Sequence, residues 1–370
     1  MQKVLHVGLD VDDKSFHIGG FCKESGEVFE MKSKPNLGSL IKKLEKFTQQ
    51  GFELRLCYEA TYIGYSLCRG LIKNGYPTEI IAPSMIPELA SNRVKTDRLD
   101  SIKLAKYYAN ELLTPIHIPD EEEQVDRGFI RSRSFLVDQR KVLRRHILSV
   151  CRFSGLHFKL ETESKHHWTK KHENWLIEKV NELEGVAKLN FEILLHQLEK
   201  LNEGIAEYEK QIEVLSEQER YKKKKDALNC FRGISTLTAM TFITEIGDVR
   251  RFKHPKQLTS YCGLDVSEYS SGGKEKKFGI TKMGNKRIRT AAVESCQRLD
   301  RVKTLSRRLK VQREGQDMKI IDIADRCTKR LKKKANNLLN NGKHRNKVKT
   351  ACAREFLGFV WEALQVIEEV

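Results

Sequence analysis

No apolar run in the sequence is long enough to cross a membrane, and the N-terminus lacks the basic, apolar, small-residue pattern of a signal peptide. A membrane role is therefore not expected. There are nine cysteines but no C-x-x-C pair, which argues against a zinc frame or a disulfide scaffold. Several cysteines have apolar neighbours, as Cys57 does in ELRLCYEA, and read as reduced core residues of a cytoplasmic protein. His166, His167 and His172 crowd the stretch KHHWTKKH, but no cysteine or carboxylate cluster accompanies them, so no metal site is expected there. No internal repeat is present. Acidic charge is also short: 50 Asp and Glu face 68 Lys and Arg, leaving a net charge of +18. Such an excess implies a polyanionic partner, and with the membrane set aside that partner is nucleic acid. A chain of 370 residues exceeds what one core usually serves, so two or three domains are expected.

Residues 1–120 read as an α/β domain. Short apolar segments at Val4–Val11, Ser15–Phe21 and Glu27–Met31 are separated by the turn residues Asp12-Asp13 and Ser25-Gly26. Helical spacing follows at Leu37–Phe47, a strand at Glu53–Tyr58, a helix near Gly64–Asn74, a strand at Thr78–Ala82 and a helix from Asp97 to Asn110. Three meandering strands followed by alternating helices and strands suggest a mixed sheet with helical cover, the order of a ribonuclease-H-like domain. Residues 121–220 read as helical. There Leu194, Leu198, Leu201, Ile205, Tyr208, Ile212 and Leu215 keep the 4-3-4-3 spacing of a coiled-coil seam. The seam could close within the chain or between subunits, and a subunit contact is favoured. The YKKKKD run at Tyr221 reads as a basic linker. Residues 221–350 form a third, mainly helical region. In it Gly233 and Gly247 bracket an apolar helix whose N-terminus could hold a phosphate or be an ordinary packed turn. An amphipathic helix closes the chain at 351–370.

The carboxylates carry the chemistry. Asp10 ends the first strand, Glu59 ends the fourth in CYEAT, and Asp97 and Asp100 share a helix face in KTDRLD. Brought together, four carboxylates repel unless cations neutralise them, and Mg²⁺ takes such oxygen ligands. Each alone has a plainer reading. Asp12 and Asp13 suit a turn, and Asp97 suits a helix cap. Farther on, TSYCGLDVSEYSSGGKEKK places Ser270 and Ser271 before Gly272-Gly273 in a basic segment that reads as a flexible loop. Lys274, Lys276 and Lys277 there, and Lys282, Lys286, Arg287 and Arg289 beyond, are candidate phosphate contacts.

Taken in order, GLDV at Asp10, YEAT at Glu59, KTDRLD at Asp97 and Asp100, FRGISTLTA with IGDVRRF, YCGLDVSEYSSGGK and ITKMGNKRIRTA resemble the Piv-like transposases of the insertion-sequence one-ten family. The resemblance covers nearly the whole chain. It implies a RuvC-like DEDD domain binding Mg²⁺ through Asp10, Glu59, Asp97 and Asp100, and a serine transposase domain whose nucleophile is Ser271. It further implies a non-coding bridge RNA that pairs with donor and target DNA, and homodimers that assemble into tetramers with a composite site across subunits. The bacterial nucleoid is then the expected location. Ser101 stands where the family commonly has alanine, and Asp12 and Asp13 add acidity beside Asp10.

The reaction so implied is a two-step transesterification through a phosphoserine link. Three rivals stand beside it: an invertase of the same family, a metal-only junction nuclease in which Ser271 is merely a turn residue, and a non-catalytic nucleic-acid scaffold. A nucleophile at Tyr269 is a variant of the covalent reading.

Overall fold

A computed structural model describes residues 3–87, 97–164, 166–271, 274–297, 299 and 304–369; for 97, 98, 269–271 and 274–277 it describes the backbone alone. The chain divides into two compact units, Met1–Pro119 and Asp120–Val370.

The first unit is built on a five-stranded sheet. Its strands are β1 (Lys3–Val11), β2 (Phe16–Cys22), β3 (Val28–Ser33), β4 (Phe52–Glu59) and β5 (Thr78–Ile81), with helices α1 (Leu37–Gln49), α2 (Ser66–Lys73) and α3 (Asp97–Ala109). Strand order is β3-β2-β1-β4-β5. The first three strands are antiparallel, and β1, β4 and β5 run parallel. The mixed sheet expected from the sequence is therefore present, with most element limits within two residues of the reading. Apolar side chains at alternate positions, Leu5, Val7 and Leu9 on β1 and Leu54, Leu56 and Tyr58 on β4, enter a core with Leu40, Leu44, Phe47 and Leu71 of α1 and α2. The opposite face of β1 bears His6, Gly8 and Asp10, and this face receives α3.

The second unit is almost wholly helical. It contains α4 (Glu121–Phe153), α5 (Phe158–Glu161), α6 (Lys170–Asn181), α7 (Gly185–Ser216), α8 (Glu219–Asn229), α9 (Thr236–Ile246) and α10 (Pro255–Tyr261). A hairpin of β6 (Val266–Ser271) and β7 (Lys274–Ile280) follows, then α11 (Lys286–Ser295), α12 (Arg307–Arg313), α13 (Met318–Asn340) and α14 (Arg345–Glu368).

The heptad seam on α7 closes within the chain. Leu198, Ile205 and Ile212 are buried, Tyr208 stacks on Phe129 of α4 at 4.6 Å, and Arg133 and Arg140 of α4 reach Glu209 and Asn202. The favoured subunit contact thus gives way to an intramolecular pair, because α4 offers its own apolar row alongside. Ile130 of α4 and Ile212 of α7 enter the same core as α9 and α14, so the long pair is rooted in the C-terminal region.

Two further readings change. YKKKKD is not a linker but part of α8: Lys225 is buried and pairs with Glu217 and Asp226, and Leu228 packs in the core. The last helix begins at Arg345, and Phe356, Leu357, Val360 and Leu364 place it in the centre of the unit. All nine cysteines are free and buried. Among the described residues, no helix is long and apolar enough to cross a membrane.

Candidate active-site elements

In the first unit the acidic residues are placed by glycine. Gly8 and Gly19 are register partners on β1 and β2. A Cβ at Gly8 would lie 2.6 Å from the Ala105 amide nitrogen, 2.8 Å from Leu104 Cβ and closer still to the Ser101 carbonyl oxygen. A Cβ at Gly19 would lie 2.5 Å from the Ile102 nitrogen. Without side chains the two strands present a flat notch, and α3 lies in it with Ser101 fully buried. The atom that Gly8 faces is the Ser101 backbone carbonyl, so the close approach itself does not depend on the side chain at 101.

The helix direction then follows from its contacts. His6 meets Tyr108 edge to face at 5.6 Å, and Gly8 meets Ser101 and Ala105, so α3 runs opposite to β1. Its N-terminal turn, with Asp97 and Asp100, lies toward the Asp10 end of the sheet. Asp10 is two residues beyond Gly8 and on the same face. Cys57, whose thiol lies 4.0 Å from the Leu104 carbonyl oxygen, is two residues before Glu59 and places that residue on the same face. The parallel register pairs Leu9 with Tyr58, so Asp10 and Glu59 sit one step beyond, on neighbouring strands. Asp10, Glu59 and Asp100 are each partly buried. Among the described residues, no group of three or more His, Cys, Asp or Glu side chains is gathered as a metal ion needs, and the side chain of Asp97 lies outside them.

The loops beside this end are tied to each other. The Tyr58 hydroxyl donates to the Gly64 carbonyl at 3.1 Å and accepts from the Cys68 amide at 3.2 Å, fixing the segment after Glu59. The Asp13 amide donates to the Tyr62 hydroxyl at 3.1 Å. Asp12 accepts from the Lys14 amide at 2.9 Å and is exposed, the behaviour of a turn residue. The extra acidity of Asp12 and Asp13 thus belongs to the β1–β2 turn.

In the second unit, the serine segment forms a β-hairpin where a loop was expected. Ser271 and Lys274 are the register pair that closes it, and the side chains of Ser270, Ser271, Lys274, Lys276 and Lys277 lie outside the described residues. The hairpin base is braced. The Thr281 amide donates to the Asp265 carbonyl at 2.9 Å and the Lys282 amide to the Gly263 carbonyl at 3.0 Å. Gly263 has φ +64 and Gly284 φ +94; a Cβ on the first would strike Met283, and one on the second would strike the Tyr261 carbonyl.

Asn285 is the hub of this base. Its amide donates to the Tyr261 carbonyl at 2.8 Å. Its Oδ1 caps α11 by accepting from the Arg287 and Ile288 amides at 3.0 and 3.1 Å. Its Nδ2 donates to Glu245 at 2.8 Å. Glu245, on α9, is only 1 % exposed and accepts two hydrogen bonds from Arg131 of α4, at 2.8 and 2.7 Å. Burial alone would raise its pKa, but the hydrogen bonds and charge of Arg131, with Asn285 and Arg127, bring it below the ordinary carboxylate value. Neither Glu245 nor Asn285 is among the residues expected from the sequence to form the site. A glutamate inside the apolar run LTAMTFITEIGD was the available signal, since a buried acid needs partners.

The proposed phosphate contacts divide. Lys282, Lys286 and Arg287 are exposed, and Arg287 lies 3.8 Å from Glu245. Arg289 is partly buried and donates to the Cys262 carbonyl at 2.6 Å, so it supports the YCGL turn. The Gly233 turn before α9 is an ordinary packed one. A Cβ there would meet the backbone of Ser295, and Ser235 caps the helix. Away from these elements, His172 of the KHHWTKKH stretch is wholly buried among Phe158, Trp168 and Trp175.

Comparison with known proteins falls on both units. Residues 225–310 match the family described as "Transposase IS116/IS110/IS902 family". The chain is 32 % identical over 321 residues to putative transposase y4qE of Sinorhizobium fredii, covering 86 % of this chain and 77 % of that protein. It is 28 % identical to the transposase for insertion sequence element IS1533 of Leptospira borgpetersenii, over 91 % of this chain and 97 % of the relative. It is 24 % identical to the transposase for IS1111A of Coxiella burnetii, over 68 % and 69 % of the two chains.

Proposed function

Since the chain belongs to the IS116/IS110/IS902 family of transposases, we propose that it cuts and rejoins DNA with Ser271 as nucleophile and with Asp10, Glu59, Asp97 and Asp100 as the ligands of Mg²⁺. The observation that carries this reading is the seating of α3 on Gly8 and Gly19, which brings Asp100 to the sheet end and face that bear Asp10 and Glu59. The order β3-β2-β1-β4-β5, antiparallel then parallel, supports a ribonuclease-H-like reading of the first unit. The donor set is chemically suited to a hard cation, because carboxylate oxygens are what Mg²⁺ takes. When bound, the ion would supply charge neutralisation at a scissile phosphate.

The protein's own part has two steps. The Ser271 hydroxyl attacks a DNA phosphorus. A serine–phosphate bond forms, the bond to one deoxyribose oxygen breaks, and the proton lost by serine is balanced by protonation of the leaving hydroxyl. In the second step the hydroxyl of the exchanging strand attacks the phosphoserine, and serine recovers its proton. One phosphoester replaces another at each step, so no nucleotide cofactor is consumed. Serine is a weak nucleophile at neutral pH. The exposed cations Lys282, Lys286 and Arg287 would hold the phosphate backbone near the hairpin base. Selection of donor and target by a bridge RNA belongs to the same proposal. It suits a chain of net charge +18, since paired RNA would read the bases while the protein reads backbone and shape.

The test uses the full chain on supercoiled DNA carrying its element ends, with the flanking non-coding RNA supplied. A denaturant-resistant protein–DNA adduct is expected from the unaltered chain and is expected to vanish in Ser271→Ala. Strand cutting that survives Ser271→Ala would establish the metal-only nuclease instead, and loss only in Tyr269→Phe would move the nucleophile. Activity unchanged in Asp10→Asn and Glu59→Gln would overturn the carboxylate role. Equal activity without the RNA would overturn guidance alone.

A further inference from the structure

The positive charge of this protein is concentrated in one place that the proposed chemistry does not use. Residues 327–354 contain ten lysines and arginines and no aspartate or glutamate, against a net charge of +18 for the whole 370-residue chain. A charge equal to more than half of that excess therefore sits on one end of the α13–α14 hairpin, the later part of α13, the turn and the first turns of α14.

The structure shows why the charge is not spent internally. At the base of the hairpin, Arg326 bonds Asp322 and Glu362. One turn higher, Arg330 and Lys334 share Glu355. Beyond that level no acid remains. Lys329, Lys333, Lys343, Arg345 and Lys347 are exposed and Lys349 is partly exposed, and none of these six pairs with a carboxylate among the described residues. Their spacing is regular. Lys329 and Lys333 lie one turn apart on α13, and Lys343 with Lys347 and Arg345 with Lys349 recur at the same interval from the turn into α14. From Lys329 to the end of α13 is about 17 Å along the axis at 1.5 Å per residue, roughly half a turn of duplex DNA. Like charges held on a rigid, well-packed hairpin repel one another unless a polyanion neutralises them.

We propose that the tip of the α13–α14 hairpin is a second nucleic-acid surface that grips the phosphate backbone of duplex DNA outside the reacting bonds, without reading its sequence. Duplex DNA is chosen because the chain's relatives are transposases, whose substrate is DNA, and because the cations form rigid helical rows on the scale of a duplex. The proposal goes beyond the serine and carboxylate reading and does not need either group.

The test measures binding of the full chain to a labelled duplex of arbitrary sequence across a salt series. The combined variant Lys343→Gln, Arg345→Gln, Lys347→Gln and Lys349→Gln is compared with Lys42→Gln and Lys46→Gln, lysines on α1. The tip variant is expected to bind about 10- to 100-fold more weakly at low salt, with the log–log salt slope reduced by about one for each cation that met a phosphate, and with an unchanged thermal midpoint. The α1 variant is expected to bind as the unaltered chain does. Unchanged affinity and slope in a folded tip variant would overturn the surface. So would a loss seen on structured RNA of equal length but absent on the duplex. If the tip variant were misfolded, adding Lys329→Gln and Lys333→Gln alone, on the exposed row of α13, gives the same reading with a smaller expected slope change. A chain that binds duplex through the tip yet forms no serine adduct would refute the proposed chemistry and leave this surface standing.

Discussion

Gly8 and Ser101 are in backbone contact across the sheet-to-helix interface: the space where a Gly8 side chain would begin is occupied by the Ser101 carbonyl. One missing methyl group thus sets the depth at which α3 lies and, with it, the position of Asp100.

Gly8→Ala is therefore expected to destabilise the first unit by about 1–3 kcal/mol, since the obstacle is backbone and cannot rotate away. Gly38→Ala is the control. It adds the same atom to α1, where only Asn36 Oδ1 lies near, at 3.9 Å, and is expected to be neutral or slightly stabilising. Urea denaturation of both variants checks this. Equal stability would mean that α3 does not seat as closely as described.

Glu245→Gln removes the charge that Arg131 and Asn285 share. A loss of about 1.5–3 kcal/mol is expected, the range for hydrogen bonds to a charged group. The sign with pH follows from the lowered pKa. The carboxylate contributes its stability in full above the ordinary value of 4.5 and loses it as the pH falls through the lower folded-state value. The acid limb of the stability curve should accordingly be shallower in Glu245→Gln than in the unaltered chain. Parallel limbs would show that Glu245 does not hold its charge.

His172 titrates in the same sense but in a higher pH window. Burial, with a contribution from His167, lowers its pKa from 6.5 to about 4. The unfolded chain then binds the proton first, so stability is complete above about 6.5 and declines as the pH falls toward 4. Its two ring nitrogens have no hydrogen-bond partner among the described residues, so His172→Leu removes no hydrogen bond seen there. That variant is expected to lose less stability than the unaltered chain between pH 7 and 5, as followed by thermal melts monitored by circular dichroism.

Arg289 and Lys286 differ in role despite lying on one helix. Arg289→Ala should lower the melting temperature, because the Cys262 carbonyl loses its donor. Lys286→Ala should leave melting unchanged and weaken DNA binding with a smaller salt slope. A melting loss in Lys286→Ala, or none in Arg289→Ala, would reverse the assignment.

Local patterns in the sequence reported the first unit well. Alternating apolar positions and turn residues are short-range signals, and β1 to β5 depend on them. The pairing of Gly8 with Gly19 was not legible, since a glycine pattern does not say which helix will approach. The LDV, EAT and KTDRLD segments were visible as acids at element ends, but that Asp10, Glu59 and Asp100 lie toward one end and face of the sheet emerged only from strand register and the direction of α3. Charge misled at two places. The lysine run in α8 looked like a linker because its partners Glu217 and Asp226 count only once the helix forms. The serine segment looked like a loop because its glycines hid a two-stranded hairpin. The spaced apolar positions on α7 do pack, against α4 of the same chain, but spacing alone cannot name the helix that meets them.

The nine cysteines have a practical corollary. Each thiol is buried and free, and burial pushes several of their pKa values upward, Cys151 and Cys230 to about 11, so the native protein should be nearly silent toward maleimides. A single cysteine introduced at Lys343 or Lys282 would then be the lone reactive handle on an otherwise untouched background. Fluorophores or cross-linkers could report on each surface separately without first stripping the protein of its own sulfur.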